Sequence, residues 1–188
     1  MPHDLPVLVT QRLTLRPPLE VDLDAIARGL SDFEVSRWLG SVPHPYTLDD
    51  ARHWLEAMEQ GRGDRRWTIH DARGLVGVVS LRRRDFGGVR DGVTLGYWLA
   101  RHAWGRGLAT EAVRAAVARH FAGSSEDIVA GAHEGNVASL RIQERLGFRT
   151  VGHDTERSLA RGEDVPVVVN RLEREEFERR FPAGAAAA

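Results

Sequence analysis

The stretch Trp104-Gly105-Arg106-Gly107-Leu108-Ala109-Thr110-Glu111-Ala112 constrains this chain more than any other. Two glycines one residue apart allow a sharp turn and close approach of backbone to a ligand, and the residues that follow, Glu111 to Phe121, keep a helical pattern without a break. A helix that starts directly behind such a turn presents unpaired N–H groups and the positive end of its dipole, which suits a phosphate anion. Glycines at loop-to-helix junctions also arise for steric reasons alone, so the preceding segment matters. Gly92-Val93-Thr94-Leu95-Gly96-Tyr97-Trp98-Leu99 reads as a buried strand with an interior glycine, a mark of a bulge or of close backbone approach. Strand, loop, glycine turn and helix put a ligand's phosphates at the helix start and its extended arm along the strand edge. A dinucleotide site would follow a strand too, but it asks for Gly-x-Gly-x-x-Gly; Thr110 stands where the third glycine belongs.

The rest of the chain reads as mixed α/β. A strand at Arg12 to Arg16 ends at Pro17-Pro18, and helical patterns follow at Val21 to Leu30 and Asp32 to Leu39. Thr47 with Asp50 three residues later predicts a capped helix from Leu48 to about Gln60, with Ala51, Trp54, Leu55 and Met58 on one face, closed by Gly61-Arg62-Gly63. Trp67 to His70 and Leu75 to Leu81 form a hairpin around Asp71-Ala72-Arg73-Gly74. Beyond the Glu111 to Phe121 helix come a short buried strand at Ile128 to Ala132, a helix from Asn136 to Leu146 closed by Gly147, and two closing strands, the last at Val165 to Leu172. Residues 178–188 read as a disordered tail.

With 188 residues, 42% hydrophobic, one compact domain with a real core is expected. A net charge of −1 argues against a nucleic-acid or anionic-membrane binder. The absence of cysteine excludes disulfides, a thiol nucleophile and thiolate metal sites. The eight histidines lack metal-ligand spacing backed by carboxylates, so no metal is expected. No signal peptide and no apolar run of spanning length are evident, which predicts a cytoplasmic protein without a membrane partner. Monomer and homodimer both remain open. Arg82-Arg83-Arg84 reads as a solvated strand end, and Trp38, Trp54 and Trp67 as core or acceptor-pocket walls, with Trp38 beside the Gly40 to Tyr46 loop the first choice for a functional one.

Several separated motifs in order resemble the GCN5-related N-acetyltransferases: Leu95-Gly96-Tyr97-Trp98-Leu99, the loop from His102 to Ala112, Asn136-Val137-Ala138-Ser139-Leu140-Arg141, and Glu144-Arg145-Leu146-Gly147-Phe148. Thr10 to Pro17 and Pro45 to Ala51 narrow the resemblance to the branch holding the ribosomal-protein N-terminal acetyltransferases. It spans residues 8–177, taken as the domain. It implies a single mixed, mostly antiparallel sheet flanked by helices, with splayed central strands holding Leu95 and Val129 and the acyl-CoA arm in the gap, paired with a strand edge. It further implies acetyl-CoA as co-substrate, bound by backbone at Trp98 and Leu99 and by the pyrophosphate loop of Trp104, Gly105, Arg106, Gly107, Leu108, Ala109 and Thr110. Thr110 can add its hydroxyl and Arg106 can pair with a phosphate, while His102 replaces the family's opening Arg or Gln. Asn136 reads both as a helix N-cap and as an amide partner for the pantetheine.

The implied reaction is direct transfer of an acetyl group to a primary amine, with backbone N–H groups polarising the thioester carbonyl. No acyl-enzyme is expected, since the sequence holds neither a cysteine nor a Gly-x-Ser-x-Gly elbow. Ser139 corresponds to a serine placed near the sulfur as a general acid; it reads equally as a helix surface residue. Thr94 stands where many relatives carry a glutamate. That leaves Glu156, Asp154, His133 and His153 as candidate bases, and Glu156 best matches the relatives' acidic residue after the Gly-Phe turn. An α-amine, with a pKa of about 7.7 to 8.0, needs less help than a lysine near ~10.4. The favoured acceptor is therefore a protein or peptide N-terminus. The alternatives are a small amine, amino acid or antibiotic, and a non-catalytic acyl-CoA-binding module.

Overall fold

The computed structural model describes residues 5–60 and 64–182. Eight strands, β1 (Leu8–Val9), β2 (Thr14–Arg16), β3 (Arg65–Asp71), β4 (Gly74–Phe86), β5 (Val89–Leu99), β6 (Ile128–His133), β7 (Arg149–Ser158) and β8 (Glu163–Leu172), form one sheet in the order β1-β2-β3-β4-β5-β6-β8-β7. Neighbours run antiparallel except β5 and β6. Helices α4 (Leu108–Phe121), α5 (Val137–Leu146) and α6 (Arg174–Arg180) cover one face. There Ala112, Val113, Ala116 and Val117 meet Val79 and Leu81 of β4 and Leu95 of β5. Helices α1 (Leu23–Leu30), α2 (Phe33–Ser36) and α3 (Leu48–Gln60) cover the other, where Leu23, Ile26, Ala51 and Trp54 pack on Val78 and Trp98. Alternate residues of β4 thus serve two cores, as the two-residue side-chain period of a strand requires.

The local signals in the sequence resolve into definite geometry. Thr47 and Asp50 cap α3 reciprocally: Thr47 N–H and hydroxyl donate to Asp50 Oδ2 (2.7 and 2.6 Å) and Asp50 N–H donates to Thr47 Oγ1 (3.2 Å). These bonds lower the Asp50 pKa. The expected stop at Gly61-Arg62-Gly63 lies outside the described residues. The β3–β4 hairpin turns at Ala72-Arg73, and Trp67 is wholly buried, its indole N–H bonded to the Pro6 carbonyl at 2.9 Å. Several expectations change; the helix expected over Asp32 to Leu39 spans Phe33–Ser36, and the one expected from Glu111 begins at Leu108. β4 continues to Phe86, well past Leu81, because Arg82, Arg83 and Arg84 still pair with Thr94, Val93 and Gly92 of β5. The first helix begins at Leu23 rather than Val21, after a 3-10 turn at Glu20–Asp22. And residues 178–180 close α6 instead of starting a tail: Phe177 is buried and Phe181 packs beside it. Of the tail, residues 183–188 lie outside the described residues.

The feature that positions the site is the parallel pair at the centre of the sheet. β5 and β6 are in register only at Val93–Ile128, Thr94–Val129 and Leu95–Ala130. Beyond these, β5 stays paired with β4 as far as Leu99, and β6 with β8 as far as His133. Each strand is held by its outer neighbour while the inner edges part. Gly96–Leu99 and Gly131–His133 therefore face each other across a gap with unshared backbone groups, which is the geometry that accepts an extended arm as a pseudo-strand.

Candidate active site

A cleft of about 1280 Å³ passes through this gap from one face of the sheet to the other. Its volume exceeds the range of about 300–1,000 Å³ usual for small-ligand pockets. On the α4–α5 face it is bounded by Gly107, Thr110, Asn136 and Ser139, and on the other by Trp38, Tyr46, Arg82 and Glu156. Two chambers meet at the splayed strands.

The glycine loop opens the first chamber. Gly105 and Gly107 both adopt left-handed conformations (φ +72° and +73°), and Gly107 is the N-cap of α4, with no side chain capping the helix. The amides of 108–110 thus have no carbonyl partner within the helix and open toward the cleft. The loop is pinned from behind by Glu111, which accepts from Thr10 Oγ1 (2.6 Å), Arg12 N–H (2.9 Å) and Arg12 Nε (2.7 Å). Burial alone would raise the Glu111 pKa, but these bonds outweigh it and hold it below 4.5. Arg12 also donates to the Arg106 carbonyl at 2.8 Å. The Arg106 side chain is ion-paired with Asp71 (3.0 Å) and lies off the cleft, so the suggested side-chain contact with a phosphate is not prepared; only the Arg106 backbone belongs to the loop. His102 is exposed and off the cleft as well. Trp104 donates its indole N–H to the Leu99 carbonyl (2.8 Å), tying the end of β5 to the loop.

Trp98, Leu99, Leu108, Ala109 and Thr110 all line the cleft. Asn136 caps α5 by accepting from the Ser139 N–H (3.1 Å), which leaves its side-chain NH₂ without a protein partner among the described residues. Both readings of this residue are thereby compatible. Ser139 is no idle surface residue: its Oγ lies 2.8 Å from the Tyr97 hydroxyl and accepts from Gln143 Nε2 (3.2 Å). The chain continues from Asn170 Nδ2 to Gln143 Oε1 (2.6 Å) and from Thr150 Oγ1 to Asn170 Oδ1 (2.8 Å). Burial raises the Tyr97 pKa above 10. Sequence reasoning placed Tyr97 in a motif without assigning it a role, because the hydroxyl pair joins β5 to α5 across 42 residues.

In the second chamber, Glu156 on β7 lines the cleft and its Oε1 lies 3.1 Å from His133 Nε2 at the end of β6. His133 is buried and its Nδ1 has no partner among the described residues. Gly40 packs against the carboxylate so closely that a Cβ there would lie 2.6 Å from it. The Trp38 ring sits 6.3 Å from the imidazole. The other candidate bases are elsewhere: His153 is paired at the surface with Glu134 (3.4 Å), and Asp154 is exposed, its Oδ1 taken by Thr155 N–H. Thr94 is buried and its hydroxyl is spent on the Arg82 carbonyl (2.9 Å). Among the described residues no cluster of side chains suits a metal ion.

The profile of the acetyltransferase (GNAT) domain family matches residues 12–149, and the chain belongs to that family. It is an acetyl-CoA-dependent acyltransferase. A Bacillus licheniformis protein, "Uncharacterized N-acetyltransferase p20", is 26% identical over 176 residues, 90% of this chain and 97% of that one. Spermidine N-acetyltransferase from Vibrio cholerae, solved with CoA and spermine, superposes with a TM-score of 0.75 at 20% identity over 89% of this chain and 99% of that one. Ribosomal-protein-S5-alanine acetyltransferase from Vibrio fischeri gives 0.76 at 16% over 92% and 98%. At these identities the two structures attest the fold. Among the described residues no helix is long and apolar enough to cross a membrane.

Proposed function

We propose that this enzyme acetylates the α-amine of a protein or peptide N-terminus, in the manner of the ribosomal-protein branch, and does so in the cytoplasm. The observation that carries the choice is the scarcity of acid in the second chamber. Among the described residues the carboxylates lining the cleft are Asp50 and Glu156, and Asp50 is committed to capping α3. A polyamine carries several positive charges and calls for several carboxylates, whereas a single α-amine calls for one. An α-amine is also roughly a tenth or more neutral near pH 7, so one modest base suffices.

Bound acetyl-CoA supplies the activated acetyl carbonyl. The open amides of 108–110 and the glycine turn hold its phosphates, Asn136 and the β5 edge at Trp98 and Leu99 hold its arm, and backbone N–H groups there stabilise the charge that grows on the carbonyl oxygen. Glu156 accepts the proton of the attacking amine. His133 positions that carboxylate by donating from Nε2, and with Gly40 fixes its approach. Within the Tyr97–Ser139 pair one hydroxyl donates to the other, and the accepting hydroxyl donates a hydrogen bond to the departing sulfur. No full proton transfer is needed, since a thiol with a pKa near ~8.5 leaves tolerably well as the thiolate.

The test is acetyl-CoA-dependent thiol release with N-terminal peptides, spermidine and free amino acids, with products located by mass spectrometry. Acetylation at the peptide α-amine, with both substrates bound together and no acyl-enzyme in acid quench, is the expected result. Turnover of spermidine with no turnover of any peptide overturns it.

A further inference from the structure

The three consecutive arginines of β4 do not share one environment. Arg83 points to the sheet face that carries α4 and is neutralised by Glu126 and by Asp91 at 3.5 Å. Arg82 and Arg84 point the opposite way with Val78, Ser80 and Phe86, and all five line the cleft. Arg84 Nε reaches Thr94 Oγ1 (3.3 Å) and its guanidinium stacks 4.6 Å over Phe86. The Phe86 ring in turn lies against Gly131 of β6, where a Cβ would come within 2.3 Å of it, and Gly87 lies against Val169 of β8. The end of the β4–β5 hairpin therefore curls over the second chamber and carries these cations with it. Neither Arg82 nor Arg84 has a carboxylate partner among the described residues, although the remaining arginines of that chamber do: Arg66 with Asp64 (2.8 Å) and Arg157 with Asp164 (3.4 Å).

Two half-buried guanidiniums on one strand face, each without a counter-ion, form an incomplete charge arrangement. Burial lowers the Arg82 pKa, and repulsion from Arg84 and Arg66 lowers it further, with Asp64 and Glu156 offsetting part of this. An anion entering the chamber removes that repulsion and meets planar donors suited to a carboxylate. The same chamber holds Glu156, which attracts an amine. Opposite charges are thus prepared for one acceptor.

We propose that the acceptor carries a carboxylate near the reacting amine, and that Arg82 and Arg84 bind it. The proposal rests on the reading of the second chamber as the acceptor site for an α-amine. The carboxylate comes either from an acidic side chain near a peptide N-terminus or from the α-carboxylate of a free amino acid.

The experiment compares kcat/KM for C-terminally amidated peptides Ala-Glu-Ala-Ala, Ala-Gln-Ala-Ala and Ala-Lys-Ala-Ala, together with free amino acids and their amides. The glutamate peptide should exceed the glutamine peptide about tenfold or more, with the lysine peptide slower still, and added salt should narrow the gap. In Arg82→Gln and Arg84→Gln the glutamate-to-glutamine ratio should fall toward one, while CoA-induced thermal stabilisation reports that each variant is folded. Equal rates for the glutamate and glutamine peptides in the wild type overturn this proposal and leave the peptide acceptor standing. Turnover of amino acids over their amides, with no peptide accepted, supports the carboxylate site and overturns the peptide acceptor. Turnover of no compound in either series overturns both.

Discussion

Replacing Gly107 by valine separates the role of this residue in folding from its role in binding. Gly107 has φ +73°, and a Cβ there would stand 3.5 Å from an Arg12 nitrogen, an ordinary contact. The unliganded protein therefore loses only the cost of a β-branched residue in a left-handed conformation, about 2 kcal/mol. For a domain of this length that is a fall in Tm of about 4–8 °C. Gly162, at φ +67° with nothing within 4 Å and outside the cleft, is the matched control: Gly162→Val should lower Tm by a similar amount. The ligand response should divide them. CoA at a hundredfold its Kd stabilises the wild type by about 2.7 kcal/mol, or about 5–11 °C. If the valine side chain in Gly107→Val disrupts two amide–phosphate bonds of about 1.5 kcal/mol each, Kd rises more than about a hundredfold and the same CoA concentration stabilises by less than about 0.5 kcal/mol. Differential scanning fluorimetry with and without CoA reads both numbers. Equal ligand-induced shifts in Gly107→Val and Gly162→Val would refute the assignment of this turn to the phosphates.

Two further predictions concern chemistry and pH. Glu156→Gln should lower kcat by about a hundredfold or more with CoA-induced stabilisation unchanged, while Ser139→Ala and Tyr97→Phe should each lower it by less; near-normal turnover in Glu156→Gln removes it as the base. For stability, His120 is buried between Arg65 (2.6 Å) and the Glu126 carbonyl (2.7 Å), and burial lowers its pKa below 6.5; burial likewise lowers that of His70. The unfolded chain binds these protons first as pH falls, so stability is full above about 6.5 and is lost as pH drops from there toward the lower folded values. Tm should therefore decrease between pH 7.5 and 5.5, with a shallower slope in His120→Gln; an unchanged slope in that variant excludes His120 as a source.

How much of this was legible in the sequence depended on how local the cause was. The α3 cap, the β3–β4 turn and the glycine entry to α4 are each decided within a few residues, and the chain shows them in its spelling. The Arg82-Arg83-Arg84 run was not legible in the same way. Taken alone it is a charged strand end; its division into one neutralised arginine and two cleft-lining ones depends on the strand continuing to Phe86 and on Glu126, 43 residues away in sequence from Arg83. Arg106 misled for a similar reason, since Asp71, which takes its side chain, lies on a hairpin far back in the chain. Tyr97 and Ser139 sat in separate motifs, and only the packing of α5 on the gap joins them.

The same register break that opens the site also gives the cleft lining residues on both faces of the sheet. Where β5 and β6 remain paired, at Val93–Leu95, the sheet is a closed wall between the α4 side and the α1–α3 side. Past Leu95 the wall parts, and an arm laid along the β5 edge brings its reactive end through the sheet rather than along it. Glu156 and His133 belong to β7 and β6, the far bank of that gap, while Tyr97 and the CoA loop belong to β5 and the start of α4, the near bank. The proposed base and Tyr97 are thus carried by two halves of the sheet whose backbones pair at three registered residue pairs. Their spacing depends on how far the banks stand apart, and that distance is held by contacts bridging them, such as Tyr97 to Ser139 and the Phe86 ring on Gly131.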